Sequence, residues 1–232
     1  MRSIVGGAVL LLVMFSPAFA DNLIYIDQTG SSATININQD GSSNRVGASG
    51  DDSISDGATT TMDIDQVGTS NELDYDIYGD NANITSNITG NSSDVDVQVG
   101  TTGGSNGGSD DVDITINASG GNSNTVSTSV GSTASGVDDV DIDVDISGGS
   151  NSVTITENST ATSVTDKITD VDITGSTNTV TVTKSGASQH DTTLGITGSS
   201  NTASITQSGA EASTVDVTTN GSSSSVTITV TD

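Results

Sequence analysis

Along this chain apolar residues return at every second position in short runs, and the runs come in pairs on either side of a Gly/Ser/Asn break. In MDIDQVGTSNELDY, residues 62–75, Met62, Ile64 and Gln66 share one parity before the break, and Leu73 and Tyr75 alternate after it. Leading runs hold Ile24/Ile26, Met62/Ile64, Ile84 with Ser86, Val112/Ile114, Val140/Ile142, Val171/Ile173, Leu194/Ile196 and Val215/Val217. Trailing runs hold Ile35/Ile37, Leu73/Tyr75, Val95/Val97, Val126/Thr128, Val153/Ile155, Val180/Val182, Ala203/Ile205 and Val226/Ile228. Strict alternation predicts strands with one face inward and one outward.

The break is G-x-S-N or a close relative, at residues 30–33, 68–71, 90–93, 121–124, 148–151, 175–178, 198–201 and 221–224. Its turn residues are Gly30, Gly68, Asn71, Gly148, Asn151, Gly175, Asn178, Gly198 and Asn201. Gly is expected to supply positive φ there, and Asn and Ser to bond local backbone. The unit is therefore strand, tight turn, strand, then a polar connector. The longer connectors are expected at 48–61, 101–111, 132–139 and 158–170.

One such unit cannot bury its apolar face alone, but stacked units can. The fold expected is all-β, a β-solenoid of about eight stacked strand–turn–strand repeats with an amyloid-like two-sheet core. At about 4.8 Å per layer the rod would be about 40 Å long. The expected core adds Gln28, Gln39, Gln66 and Gln207 to the apolar positions, each inward amide bonding to the layer above or below.

Composition narrows the picture. Residues 1–20 have a positive start, an apolar run from Ile4 to Phe15 and Ala18-Phe19-Ala20, which reads as a secretory signal peptide and its cleavage site. Residues 21–232 form the repeat domain. They contain no Phe, Trp, Pro or Cys, so no disulfide framework is available. Thirty acidic residues face Arg45, Lys167 and Lys184, the basic residues outside the leader. That charge disfavours nucleic acid and anionic membranes as partners, and no membrane insertion is expected.

The pattern φ-x-φ-x-Q-x-G-x-x-N-x-φ-x-φ at Met62, Ile64, Gln66, Gly68, Asn71, Leu73 and Tyr75 resembles the curlin repeat of curli-type functional amyloids. Ile24, Ile26, Gln28, Gly30, Ile35, Ile37 and Gln39, and again Gly198, Asn201, Ala203, Ile205 and Gln207, carry parts of it. The resemblance implies a secreted subunit that polymerises into extracellular fibres for biofilm and adhesion. Its partner would be itself, by head-to-tail stacking of coils, with a nucleator or minor fibre subunit alongside.

Aspartates form outward rows such as Asp63/Asp65, Asp94/Asp96 and Asp141/Asp143/Asp145. Stacking brings like charges close together, which destabilises a sheet unless cations offset it. Carboxylates suit Ca²⁺. The Ca²⁺ candidates are Asp110, Asp111, Asp138, Asp139, Asp141, Asp143 and Asp145, with Asp51 and Asp52 in a connector. Asp141-x-Asp143-x-Asp145 lacks the Gly and Glu of an EF-hand.

His190, beside Ser188 and Asp191, is read as a residue of a polar connector, and no nucleophile motif surrounds it. The chain is not expected to be an enzyme, and no other cofactor is implied. Two readings compete with a fibre subunit. One is a stand-alone acidic solenoid, an adhesin or surface binder or a virion fibre segment, with Thr179/Thr181/Thr183 and Thr227/Thr229/Thr231 as flat outward rows. The other is a disordered acidic polymer, against which the aligned alternating segments argue.

Overall fold

The computed structural model describes residues 10–13, 22–29, 32–41, 43–47, 53–56, 59–78, 81–100, 109–131, 137–158, 166–186, 189–209 and 212–231. These residues are all-β, with no helix among them. In chain order come β1 (Leu10–Val13), β2 (Asn22–Ile24), β3 (Asp27–Thr29), β4 (Ala33–Asp40), β5 (Ser43–Val46) and β6 (Ser53–Asp56). Then follow β7 (Thr59–Val67), β8 (Ser70–Tyr78), β9 (Asn81–Thr89), β10 (Ser92–Val99), β11 (Ser109–Ser119), β12 (Ser123–Val130), β13 (Val137–Ser147) and β14 (Ser150–Asn158). The last six are β15 (Asp166–Thr174), β16 (Thr177–Ser185), β17 (Gln189–Thr197), β18 (Ser200–Ser208), β19 (Ser213–Asn220) and β20 (Ser223–Thr231).

The strands form two parallel sheets. One is nine-stranded, in the order β1-β4-β7-β9-β11-β13-β15-β17-β19. The other is eleven-stranded, along β2-β5-β8-β10-β12-β14-β16-β18-β20, with β3 and β6 beside that path. Each repeat gives one strand to the first sheet, turns, and gives the next to the second. The result is the β-solenoid that the alternation predicts. Parallel pairing places like on like: Val95 partners Leu73 and Val97 partners Tyr75, while Met62 partners Ile84.

Alternation decides burial residue by residue. β4 alternates buried and exposed along its whole length, and β7 follows the same rule. Ile24, Ile35, Ile37, Met62, Ile64, Leu73, Tyr75, Val95, Val97, Val153, Ile155, Val180, Val182 and Ile205 all lie in one closed core. Ile26 packs against it, partly buried. Short β-branched side chains suit this interior because they stand off a pleated surface without crowding the opposite sheet.

Four expectations are corrected. The first repeat is out of phase with the reading above. Ile35 and Ile37 belong to the sheet of Met62 and Ile64, while Ile24 pairs Val46 in the other sheet. The turn that matters there is Gly41–Asn44, another G-x-S-N, whose Asn44 partners Asn71. Gly30 lies outside the described residues.

The turn glycines also do a different job. Positive φ occurs at Gly47, Gly100, Gly120, Gly121, Gly131, Gly186 and Gly209, and not at Gly68, Gly148, Gly175 or Gly198. The latter are needed for close approach. A Cβ on Gly198 would sit 2.2 Å from the Gly175 carbonyl oxygen, and one on Gly175 2.5 Å from that of Gly148. Most positive-φ glycines leave the second sheet at the opposite corner, where Gly100 N–H donates to Ile77 O at 2.9 Å and Gly131 N–H to Val99 O at 2.8 Å.

The connectors are shorter than expected. Ser53–Asp56 forms β6, and Thr59–Thr61, Asp166–Asp170 and the starts of β11 and β13 are strand. Finally, Val226 and Ile228 stand in the right columns, partnering Ala203 and Ile205, yet are 41% and 46% exposed. They belong to the last layer of the sheet among the described residues, and no described strand lies over them.

Candidate functional site

The side chains that tie layers together are amides at the turns. One column of register partners reads Asn22, Asn44, Asn71, Ser93, Asn124, Asn151, Asn178, Asn201 and Ser224. Asn124 Nδ2 donates to Asn151 Oδ1 at 3.1 Å, Asn151 to Asn178 at 3.0 Å, and Asn178 to Asn201 at 3.1 Å. The same Nδ2 groups also reach a turn carbonyl one layer on: Asn151 to Thr174 O at 3.2 Å and Asn178 to Thr197 O at 3.1 Å. The ladder has a direction, with every donor pointing toward the C-terminal end. Sequence reasoning gave these asparagines to local turns. The recurrence of Asn at the fourth position of most breaks, with Ser93 and Ser224 in two others, was the signal for a ladder.

The glutamines divide between two columns. Gln39 partners Gln66, and Gln66 Nε2 donates to Gln39 Oε1 at 2.8 Å inside the core. Gln207 lies in the other sheet, fully buried, donating to Thr192 Oγ1 at 2.9 Å. Gln28 is half-buried at the outer end of that second column, paired with Ser55.

The two ends of the stack differ. At the C-terminal end β20 is exposed along its whole length, and Val226, Ile228 and Val230 present apolar side chains to solvent. At the other end β1 pairs with β4, Leu10 against Ile35 and Leu12 against Ile37. The first coil is thus covered on that sheet by residues 10–13.

The outer face of the first sheet carries the aspartates. Asp111 partners Asp139, Asp113 partners Asp141, Asp143 partners Asp170 and Asp145 partners Asp172. Partial burial, and then the neighbouring carboxylates, raises the pKa of Asp113, Asp143 and Asp170 above the ordinary 3.8. Elsewhere on this face amides intervene, as where Asn87 Nδ2 donates to Asp65 Oδ1 at 2.9 Å. Asp111, Asp139, Asp141, Asp143 and Asp145 are exposed; the side chains of Asp110 and Asp138, and all of Asp51 and Asp52, lie outside the described residues. Among the described residues no three acidic or imidazole groups converge as a metal site would require.

Inside the C-terminal half is a cluster that the sequence reading missed. Glu157, Lys167, Lys184 and His190 are all buried. His190 lies in β17, not in a connector, and partners Lys167. Burial, then Lys167 and Lys184, lowers the His190 pKa to about 4. Asp191 faces the opposite way along the strand, so it cannot orient the imidazole; Ser188 lies outside the described residues. Parity was the available signal. Lys167 is in phase with Thr169 and Val171, Lys184 with Val180 and Val182, and His190 with Thr192 and Leu194.

No family model, no curated protein and no solved structure matches this chain.

Proposed function

We propose that this chain is a secreted structural subunit that self-assembles end to end into extracellular, curli-like amyloid fibres for biofilm matrix and surface adhesion. One observation carries the reading: the outermost C-terminal layer continues the core columns yet leaves Val226, Ile228 and Val230 41%, 46% and 48% exposed. A parallel edge with unpaired backbone groups and an apolar inner face adds strands from another chain. The Asn ladder ends there on Ser224, to whose Oγ Asn201 Nδ2 donates at 3.5 Å. At the far end, removal of the leader frees β4 and leaves Asn22 as the first amide of the column. Calcium or salt would assist by offsetting the outward carboxylates.

The test is negative-stain microscopy, thioflavin fluorescence and fibre diffraction of the chain without residues 1–20, with and without calcium. Fibres with a reflection near about 4.8 Å are expected. Val226→Asp/Ile228→Asp should block them while leaving the β-rich circular dichroism spectrum intact. A monomer that never seeds would overturn the reading.

A second reading, a stand-alone surface-binding solenoid, rests on the Thr array of the second sheet. Thr154, Thr181 and Ser204 form one outward column, and Thr156, Thr183 and Thr206 another. A monodisperse monomer retained on a solid surface would favour it.

A further inference from the structure

Glu157 and Lys184 face each other on neighbouring strands as register partners. In the layers before them their column holds Ile77, Val99 and Val130, and in the layer after them Gln207. Both side chains are shut off from solvent, Lys184 at 0% and Glu157 at 1% exposure. The Lys184 Nζ to Glu157 Oε2 distance is 3.5 Å, longer than the roughly 2.7–2.9 Å of a strong charge-assisted hydrogen bond. Oε2 accepts no hydrogen bond.

Two of the Nζ hydrogens are directed elsewhere. Nζ donates to Lys167 O at 2.8 Å and to Asp191 O at 2.7 Å. A neutral amine has two N–H bonds and one lone pair, so with both N–H groups held by carbonyls the lone pair is left for the carboxyl group. Thr169 Oγ1, itself fully buried, donates to the other carboxyl oxygen, Oε1. Burial favours the neutral form of each partner, raising the pKa of Glu157 and lowering that of Lys184.

We propose that Glu157 and Lys184 condense into an intramolecular isopeptide bond, a covalent staple between the layer of β13 and β14 and the layer of β15 and β16. The Nζ lone pair attacks Cδ of the neutral carboxylic acid, whose Oε2 lies 3.5 Å from Nζ, so a small approach brings the pair to the roughly 3–3.5 Å of a near-attack arrangement. The tetrahedral intermediate carries its negative oxygen on Oε1, facing the Thr169 hydroxyl. The Cδ–Oε2 bond then breaks. Oε2 leaves as water, with its own hydrogen and one from Nζ, and the Cδ–Nζ amide remains. No oxidant or other reactant is required. The driving force is the removal of two ionisable groups from a dry interior, where even a paired charge carries a desolvation penalty. This step is independent of whether the chain forms fibres.

The test is mass spectrometry of the folded full chain, then trypsin digestion after denaturation. The bonded chain is lighter than its sequence mass by one water. Lys184, acylated, resists trypsin, so residues 46–167 and 168–232 stay joined as one branched species, with fragmentation placing the link at Glu157 and Lys184. Lys184→Arg keeps a cation but removes the nucleophile and should restore the full mass. Glu157→Gln should lose ammonia in place of water, and Thr169→Val should slow the loss. A folded wild-type chain at full mass, giving separate fragments 46–167, 168–184 and 185–232, overturns the proposal. So does the same loss of water in Lys184→Arg, which would place the dehydration at another site.

Discussion

The amide of Gln66 donates to the side-chain oxygen of Gln39 at 2.8 Å, from one layer of the solenoid to the next, with both residues buried. The two are 27 residues apart in sequence. Their bond exists because the coil returns to the same place after one turn.

That pairing predicts an asymmetry. Gln66→Leu leaves Gln39 Oε1 without its donor in the core and should cost about 1–3 kcal/mol in urea unfolding, whereas the further loss on adding Gln39→Leu should be smaller than that of Gln39→Leu alone, because Gln39 then gives up only its Nε2 bonds to Asn22 O and Arg45 O. Strictly additive losses in the double variant would show that the amide pair is not coupled.

Asn151 is bonded on both sides, accepting from Asn124 and donating to Asn178 and to Thr174 O. Asn151→Ala should therefore lower stability by about 1–3 kcal/mol. Asn201→Ala, whose amide ends on a Ser224 hydroxyl at 3.5 Å in the outermost layer, should cost less. Thermal melts of the two variants side by side make the comparison.

Gly198 is held by contact and not by dihedral angle. Gly198→Ala places a methyl group 2.2 Å from the Gly175 carbonyl oxygen, so the layers must separate. The expected loss exceeds about 1 kcal/mol. Hydrogen exchange should locate it in the amides of β17 to β20. An unchanged exchange pattern would contradict the close-approach reading.

The charged groups give opposite pH dependences. Asp113, Asp143 and Asp170 have folded pKa values above the free value of 3.8. Their contribution is fully present below that value and is lost as pH rises through the raised folded values, so acidification from neutral pH should strengthen the fold. His190 acts the other way. Its folded pKa is lowered from 6.5 to about 4. Its contribution is present above 6.5 and is lost as pH falls toward 4, up to about 3 kcal/mol over that interval. Melting temperature should therefore rise more steeply between pH 7 and pH 4 in His190→Leu than in the wild type. Parallel curves would sink the assignment of His190 to the interior.

Much of the core was legible because a strand has a period of two, so the parity of Met62, Leu73, Val153 or Val180 fixes its face without knowledge of its neighbours. The same rule would have placed His190 and Lys184 inside. They were missed because imidazole and ammonium groups are ordinarily solvated, and composition outweighed parity.

The phase of the first repeat was misread for a related reason. Two Gly/Ser breaks, at 30–33 and 41–44, flank the same alternating segment, and local pattern does not say which is the corner that stacks. The Asn44–Asn71 partnership settles it.

The sequence by itself determined most of the strands, their inward faces and the breaks between them outside the first repeat, since these depend on neighbours two to four residues away. Only the tertiary structure decided which side chains share a column. Gln28 falls in line with Gln207, Glu157 meets Lys184, and Lys167 meets His190. Those columns are set by layer-to-layer hydrogen-bond register after connectors of unequal length. A unit's local alternation is unaffected when its connector lengthens, so it holds no record of what lies above it.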